Sequence, residues 1–198
     1  MHSQSHNKLL ILASTSRYRK TLLERLGLPF QTWSPDVDET ALEKEPAPDL
    51  VKRLARLKAA SAVDRFPEAV VIGSDQVAEC DGEIVGKPGT ADRAQAQLAS
   101  FSGRTVRFLT AVHVRCGVSA IEHDAVVETA AVFRTLSREE IQRYIELDRP
   151  LDCAGSFKSE QAGIGLLDAL ESSDPTAIIG LPLIAVSRAL RDLGFHIP

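Results

Sequence analysis

The chain begins with a short apolar run followed at once by an amphipathic segment, and this order constrains the fold more than any other feature. The run KLLILA is bounded by a serine-rich turn, which is typical of a buried strand rather than a helix. The next segment carries Leu22, Leu23 and Leu26 at helical spacing and ends at Gly27. After a second helical segment, the run AVVIGSD has the β-branched composition of another buried strand. This alternation predicts an α/β domain.

Two hairpins are also indicated. Asp81 and Gly82, between VAEC and EIVG, form the strongest short hairpin signal in the chain. We therefore expect Asp75 to close a buried strand where it meets this hairpin, and Lys87 to lie on the returning arm. Two long β-rich stretches on either side of Gly117 are expected to pair as a second, longer hairpin.

Further helices follow from periodicity and capping. From Asp49, the pattern LVKRLARLKAASAV places one apolar stripe at Leu50, Leu54, Leu57 and Ala60. The flanks of this helix carry Lys52, Arg53, Arg56 and Lys58, so we expect a helix with a basic side. Predicted N-terminal caps are Thr90 and Ser137, the second in a capping box with Glu140. The apolar segment that ends at Gly194 is expected to be the last helix.

Length and charge limit the functional classes. A chain of 198 residues can form one α/β domain or two lobes that share a cleft. The formal net charge of −4 gives no bulk attraction to nucleic acid or to an anionic membrane. The N-terminus lacks an apolar core of signal-peptide length, so we expect a cytoplasmic protein. Cys80, Cys116 and Cys153 have no metal-finger or C-x-x-C spacing, and we expect small, buried, reduced side chains.

The turn into the first helix has the properties of an anion site. A helix N-terminus presents unpaired N–H groups and the positive end of the helix dipole, and Ser14 and Ser16 add hydroxyl donors. Arg17, Arg19 and Lys20 lie in the same turn, where each cation is disfavoured by about 0.3–1 kcal/mol. A bound phosphate chain would compensate for these charges. Alternatively, the basic side chains extend into water, and no Walker A or G-x-G-x-x-G pattern is present.

A second group of residues can act on such a phosphate chain. Asp75 follows a predicted strand, where active-site groups occur in α/β sheets. Together with Glu39 from an acidic loop, it can hold Mg²⁺, which binds through one or two carboxylates and phosphate oxygens. Asp75 would position the metal or deprotonate water, while Lys58, Lys87 and Arg19 would neutralise phosphate oxygens. Each residue also has a structural interpretation: Asp75 in a turn, Lys87 in solvent, and Lys58 on the basic face of a helix.

Seven separated segments occur in the order found in Maf proteins: LASTSRYRKTLLERL, VDET, RLARLKA, IGSDQV, DGEIVGKP, AGSFKSE and GLPLIAV. From about Leu9 to Leu193 the chain therefore resembles this family of nucleoside triphosphate pyrophosphatases. The resemblance implies an α/β fold with a mixed, twisted sheet and flanking helices. It also implies two lobes and a central cleft, as in the inosine triphosphatase (Ham1) type. The implied reaction cleaves a nucleoside triphosphate to the monophosphate and pyrophosphate with a divalent cation, Mg²⁺ or Mn²⁺.

The same resemblance assigns roles to residues. Asp75 matches the catalytic base of the family's G-[AS]-D motif, and Lys58 and Lys87 match phosphate or catalytic positions. Glu39 is the matching acid, expected to bind the metal together with Asp75. The expected substrate-binding residues are Ser14, Tyr18, Arg19, Gln76 and Glu160.

Three positions bear on the substrate. Members that act on dTTP and UTP have arginine, threonine and glutamine where this chain has Tyr18, Gln76 and Glu160. These changes resemble the subgroup that hydrolyses 7-methyl-GTP, in which an aromatic residue, more often tryptophan, takes the first position. An aromatic face attracts the cationic methylated guanine by about 0.5–2 kcal/mol. A carboxylate accepts from N1–H and N2–H₂ of guanine and repels pyrimidine carbonyls. Alternatively, Tyr18 packs on the sheet and Glu160 is a solvated loop acid.

Other features leave alternatives open. Arg17 replaces a family proline and Lys20 a family arginine, so we expect a point-charge contact with phosphate in place of a fork-shaped one. The same reaction on UTP, dTTP or another noncanonical nucleotide is an alternative, as is a nucleotide-binding regulator of septum formation. The long paired strands can supply the edge of a homodimer. We expect residues 1–8 to form a flexible arm before a single domain from 9 to 198.

Overall fold

The computed structural model describes residues 8–119 and 121–197, which form a seven-stranded sheet flanked by helices. The strands are β1 (Leu10–Ala13), β2 (Gln31–Trp33), β3 (Val70–Cys80), β4 (Glu83–Val85), β5 (Thr105–Cys116), β6 (Glu122–Phe133) and β7 (Leu167–Ser172). They lie in the order β2-β1-β3-β5-β6-β7, and β4 pairs with β3 outside this path. β1 is parallel to β2 and β3, whereas the other pairs are antiparallel. The expected mixed sheet is therefore confirmed.

Five α-helices flank this sheet. They are α1 (Arg17–Glu24), α2 (Ala47–Val63), α3 (Ala91–Phe101), α4 (Arg138–Asp148) and α5 (Leu183–Asp192). The predicted cap of α3 is confirmed, since the Thr90 side chain accepts a hydrogen bond from the N–H of Arg93. The predicted capping box of α4 is also confirmed, with reciprocal bonds between Ser137 and Glu140.

Alternation of side chains along the strands decides which helices cover which face. Ile11 and Val71 pack with Ala59 of α2 on one face. Leu10 and Leu12 point to the opposite face, in a cluster that includes residues of α1 and α5. Farther along that face, α3 and α4 cover a cluster that includes Phe101, Phe108, Phe133 and Phe157. The core on this face is therefore divided between α1 with α5 and α3 with α4.

The central strand β3 has a partner along its whole length on one side only. β5 pairs with it from Val70 to Glu79. On the other side, β1 pairs with β3 only as far as Gly73, and pairing with β4 begins at Ala78 of β3. Within the part of the chain that the structure describes, residues 74–77 therefore border a gap in the sheet.

This arrangement corrects the prediction for Asp75. The residue lies inside β3 rather than at the end of a strand, because pairing with β5 carries the strand through Gly73, Ser74 and Asp75. These residue types have low β propensity, so tertiary pairing overrides the local preference. Asp75 nevertheless lies beside an opening, since it borders the gap between β1 and β4.

The predicted turn between β3 and β4 is confirmed. Asp81 and Gly82 have φ values of 51° and 84°, which is the combination that a type I′ turn requires at its two central residues. Lys87, however, lies two residues beyond the end of β4 rather than on that strand. The predicted long hairpin of β5 and β6 is also confirmed.

β7 was not expected from the sequence, and it changes the prediction for a dimer edge. This short strand pairs with Thr129–Phe133 of β6. In β6, the outer strand of the long hairpin, residues 122–128 have no further partner strand among the described residues. The proposed homodimer edge is therefore shorter than expected, and dimerisation stays a prediction.

The remaining general expectations have different outcomes. The predicted arm lies outside the described residues except for Lys8, whose Nζ donates to the carbonyl of Leu193 at 2.7 Å. Cys80 and Cys116 are buried, whereas Cys153 is half-buried, and burial raises the pKa of its thiol to about 12. In residues 8–119 and 121–197, no helix is both long and apolar enough to cross a membrane.

Candidate active site

A cavity of about 840 Å³ opens beside the gap in the sheet. This volume lies within the range of small-molecule sites, about 300–1,000 Å³. Eight of the nine predicted site residues line it: Ser14, Tyr18, Arg19, Glu39, Lys58, Asp75, Gln76 and Lys87. They come from the turn after β1, from α1, from the loop before α2, from α2 itself, from β3 and from the segment after β4. The tertiary fold thus brings together residues that are far apart in the chain.

Lys58 links two carboxylates at the base of this cavity. Its Nζ lies 2.6 Å from Oδ1 of Asp75 and 2.7 Å from Oε1 of Glu39. The side chains of Lys58 and Asp75 are 6% and 9% exposed, whereas that of Glu39 is 56% exposed. A buried ammonium group requires such partners. The buried carboxylate of Asp75 is therefore held by a charge-assisted hydrogen bond.

The position of Lys58 corrects the prediction for α2. The buried face of this helix runs through Leu50 and Leu54 and continues, at the next helical repeat, to Lys58. Leu57, assigned to the apolar stripe, is 40% exposed instead. The sequence pattern placed Lys58 on a basic flank because the carboxylates that allow its burial are remote in the chain.

The ionisation of Glu39 follows from its cationic surroundings. Burial disfavours its charged form, but the hydrogen bond from Lys58 and the charges of Lys58, Lys87 and Arg19 outweigh this effect. The pKa of Glu39 consequently lies below its ordinary value. Glu39 can thus present negative oxygens to a metal ion.

Arg19 connects the first turn of α1 to the loop before α5. Its Nε donates to the carbonyl of Gly180 at 2.8 Å, and Nη1 donates to Oγ of Ser14 at 3.4 Å. Burial lowers the pKa of Arg19, while the negative charges of Asp75 and Glu39 act in the opposite direction. A cation that the sequence placed unfavourably near a helix N-terminus is thus directed into the cavity.

Tyr18 lies at the rim of the cavity, between Arg17 and Asp152. Nη2 of Arg17 donates to the Tyr18 hydroxyl at 2.7 Å, and the guanidinium carbon lies 4.8 Å from the ring centroid. The hydroxyl in turn donates to Oδ1 of Asp152 at 3.2 Å. Burial raises the pKa of the Tyr18 phenol well above its usual value, so the hydroxyl stays protonated.

Comparison with known proteins identifies the family. The model of the family described as Maf-like protein matches residues 9–193. This chain belongs to the Maf family. The seven segments that the sequence showed in family order are distributed over the whole of that match.

Several curated relatives of this Maf chain are named 7-methyl-GTP pyrophosphatase. The relative from Aromatoleum aromaticum is 56% identical over 192 residues, covering 96% of this chain and 97% of its own. The relative from Xanthomonas oryzae pv. oryzae is 54% identical over 189 residues, covering 96% and 98%. The relative from a Polaromonas species is 49% identical, covering 93% and 84%. Among solved structures, the Ham1 protein of Staphylococcus aureus aligns with 64% of this chain and 72% of its own, at a TM-score of 0.46 and 14% identity.

Gln76 contacts protein atoms on the face of β3 opposite α2. Its Nε2 donates to Oγ1 of Thr110 and to the carbonyls of Ala177 and Ile178, each at 2.9 Å. The side chain therefore fixes the loop that carries Gly180. Gln76, a predicted substrate-binding residue, therefore makes hydrogen bonds within the protein and also lines the cavity.

Glu160 is the one predicted site residue outside the main cavity. It lines an adjoining hollow of about 310 Å³, whose wall Arg17 and Tyr18 share with the main cavity. Burial raises the pKa of Glu160. Lys20 does not line the main cavity either, since its Nζ lies 3.9 Å from Oε1 of Glu24 along the exposed side of α1, and the expected phosphate contact stays a prediction.

Two residues of the site were missed by the sequence analysis. Asp152 lines the main cavity, and Lys158 lies 5.8 Å from the Tyr18 ring while donating to the carbonyl of Asp148 at 2.6 Å. Asp152 lies 134 residues from Tyr18 in the chain, so no local pattern joins them. The nearest signal was its place two residues before the glycine-punctuated segment AGSFKSE.

The donors of the cavity fit a hard divalent cation that is bound largely by its substrate. Among the described residues, no group of three or more His, Cys, Asp or Glu side chains is arranged to hold a metal ion. The two carboxylates around Lys58 do match the one or two that Mg²⁺ commonly takes from a protein. Phosphate oxygens and water would have to complete the coordination of the ion.

Proposed function

We propose that this Maf-family chain hydrolyses 7-methyl-GTP to 7-methyl-GMP and pyrophosphate. The observation that carries the proposal is an identity of 46–56% to relatives with that name, over nearly the whole chain. The chemistry of the cavity supports it, because buried cations, carboxylates and an aromatic face meet in a space large enough for a nucleotide.

The triphosphate would bind to the cationic wall of the cavity. Arg19, Lys58 and Lys87 line this wall, and Ser14 adds a hydroxyl. Arg19 is fixed by its bond to Gly180. Such preorganised cations stabilise the charge that develops on the phosphate oxygens and on the leaving pyrophosphate.

Asp75 is assigned the role of general base. Water attacks the α-phosphorus, the bond from that phosphorus to the α,β-bridging oxygen breaks, and Asp75 takes the proton from the water. Lys58 holds Oδ1 of Asp75, and this bond fixes the carboxylate relative to the cavity. Pyrophosphate leaves with the electron pair of the broken bond, next to the remaining cations.

Asp75 and Glu39 are also the residues that would hold Mg²⁺ or Mn²⁺. When bound, such a cation supplies further neutralisation of phosphate charge. The low pKa of Glu39 keeps that carboxylate ionised for this role.

The nucleobase of the substrate would be selected at the outer end of the cavity. Tyr18 presents an aromatic ring there, which attracts a cationic methylated guanine. Glu160, in the adjoining hollow, would accept hydrogen bonds from the guanine edge, and Gln76 would border the nucleotide.

A turnover assay tests the proposal. Purified protein is incubated with 7-methyl-GTP, GTP, UTP or dTTP and Mg²⁺ or Mn²⁺, and pyrophosphate release is measured. We expect the highest kcat/KM for 7-methyl-GTP, and Asp75→Asn should lower it by about 10²–10⁴-fold. Asp168→Asn, which removes an exposed carboxylate on β7, is the matched control.

The same assay, together with a nucleotide-binding measurement, distinguishes the proposal from its alternatives. Preference for UTP or dTTP would replace the proposed substrate with a pyrimidine nucleotide. Nucleotide binding without any turnover would instead favour a regulatory role, such as the one considered in septum formation.

A further inference from the structure

The contact between Arg17, Tyr18 and Asp152 places a planar cation on an aromatic ring beside a carboxylate. The guanidinium carbon of Arg17 lies 4.8 Å from the centroid of the Tyr18 ring. Nη2 of Arg17 lies 3.5 Å from Oδ2 of Asp152, while Oδ1 accepts from the Tyr18 hydroxyl. Tyr18 and Asp152 thus offer two surfaces for one cation, a ring face and a carboxylate edge.

A methylated guanine has the same recognition features as this guanidinium. A guanidinium is planar and delocalised, and it directs N–H donors from one edge. The 7-methylguanine ring is also planar and positively charged, and its N1–H and N2–H₂ groups form part of a guanidine-like edge. Both groups therefore suit an aromatic face combined with an acceptor-only carboxylate.

The position of Tyr18 and Asp152 suits a nucleotide whose phosphates lie near Asp75. Asp152, Tyr18 and Asp75 all line the main cavity, whereas Glu160 lines the adjoining hollow. A base bound against Tyr18 and Asp152 would share one continuous space with the polyphosphate. Glu160 would reach such a base from the adjoining hollow, past Arg17 and Tyr18, whereas Asp152 lines the same space as the phosphates.

We propose that Asp152 is a specificity-determining residue, which with Tyr18 binds the cationic base where the side chain of Arg17 lies in the free protein. This inference rests on the proposed hydrolysis of 7-methyl-GTP. Arg17 is then an internal competitor that the base displaces. The carboxylate of Asp152 favours the methylated base over neutral guanine because only the methylated ring carries a full positive charge.

Calorimetry with Mg²⁺ measures the affinities for the reaction product 7-methyl-GMP and for GMP. Their ratio gives the selectivity for the methylated base independently of turnover. Asp152→Asn keeps the shape of the side chain but removes its charge. We expect the affinity for 7-methyl-GMP to fall by roughly tenfold and that for GMP by less than about twofold, since the attraction between two full charges is lost only with the methylated base. Asp168→Asn should leave the ratio of the two affinities unchanged.

Arg17→Ala tests the competition directly. Removal of the internal cation should tighten binding of 7-methyl-GMP by about twofold to fivefold, because the free protein no longer has to release Arg17. Unchanged or weaker binding by Arg17→Ala would overturn the role of Arg17 as a competitor.

The outcomes separate this inference from the proposed function. If the wild type hydrolyses 7-methyl-GTP but Asp152→Asn keeps the wild-type ratio of affinities, the inference is wrong and the proposed function stands. If the wild type does not turn over 7-methyl-GTP, both are wrong. Thermal unfolding of each variant shows whether the fold is retained, and a loss of the ratio in a folded Asp152→Asn protein supports the inference.

Discussion

Lys58 and Asp75 depend on each other because both side chains are buried next to the cavity. If one partner were removed, the other charge would remain buried, and no ion pair would compensate for its desolvation. Glu39 adds a second anion at 2.7 Å but is more exposed, so it compensates less for burial. Removal of either partner is therefore expected to lower the free energy of unfolding.

Substitution of Lys58 tests this dependence. Lys58→Met leaves the Asp75 carboxylate buried without its cation, and we expect the free energy of unfolding to fall by about 3 kcal/mol. The double variant Lys58→Met with Asp75→Asn should regain part of this loss, because no buried charge remains. Urea unfolding of the single and double variants measures the effect.

Lys52→Met is the control for that experiment. This lysine is exposed on the same helix, so its substitution should change stability by less than about 0.5 kcal/mol. An equal loss in the single and double variants of Lys58 would contradict the interpretation.

For individual residues, the sequence predicted which side chains lie together in the candidate site better than it predicted their burial and their partners. The motifs identified Asp75, Lys58 and Glu39, and the structure brings these three side chains into contact. The burial of Lys58 could not be predicted, because it depends on carboxylates from two other segments. Asp152 was missed for the same reason, since only the tertiary fold brings it to Tyr18.

At the scale of secondary-structure elements, α2 and β3 approach each other closely at Gly73. A Cβ atom at this position would lie 2.2 Å from the carbonyl oxygen of Ala55 and 2.7 Å from the amide nitrogen of Ala59. Because both are backbone atoms, neither can move without a shift of the whole helix. The close approach holds Lys58 on α2 within reach of Asp75 on β3.

Gly73→Ala should therefore force α2 away from the sheet. We expect a loss of about 3 kcal/mol in the free energy of unfolding, at the upper end for an overpacked site, together with reduced turnover. Urea unfolding and the pyrophosphate assay measure the two effects. Gly165→Ala is the control, since its added Cβ would meet no atom within 4 Å. Wild-type stability in Gly73→Ala would show that the helix can move freely.

Elements with a strong local signal were predicted well from the sequence. The turn at Asp81 and Gly82 and the caps at Thr90 and Ser137 depend on residues within a few positions of each other. The full length of β3 was not predicted, because its second half is held by pairing with β5. β7 is a short edge strand whose pairing with β6 likewise leaves little local pattern.

For the whole molecule, ligand binding at the cavity should stabilise the fold, because its wall includes the turn after β1, α2, β3 and the segment after β4. Pyrophosphate with Mg²⁺ is a suitable probe. At about a hundred times its Kd, a ligand that binds only the folded state adds about 2.7 kcal/mol. For a chain of this size, that corresponds to a rise in Tm of about 5–10 °C.

Differential scanning fluorimetry measures this shift. Lys87→Ala should reduce it by removing one cation of the wall, whereas Lys52→Ala, on the exposed side of α2, should leave it intact. An equal shift in the wild type and in Lys87→Ala would place the pyrophosphate elsewhere on the protein.

Among the strands of residues 8–119 and 121–197, the gap between β1 and β4 leaves residues 74–77 of β3 paired with β5 alone. The segments that border this gap can therefore change in length and composition while the hydrogen-bonded ladder under Asp75 stays the same. Substitutions in these segments at positions other than Arg19, Glu39 and Lys87 would thus change the shape of the binding space without displacing Asp75.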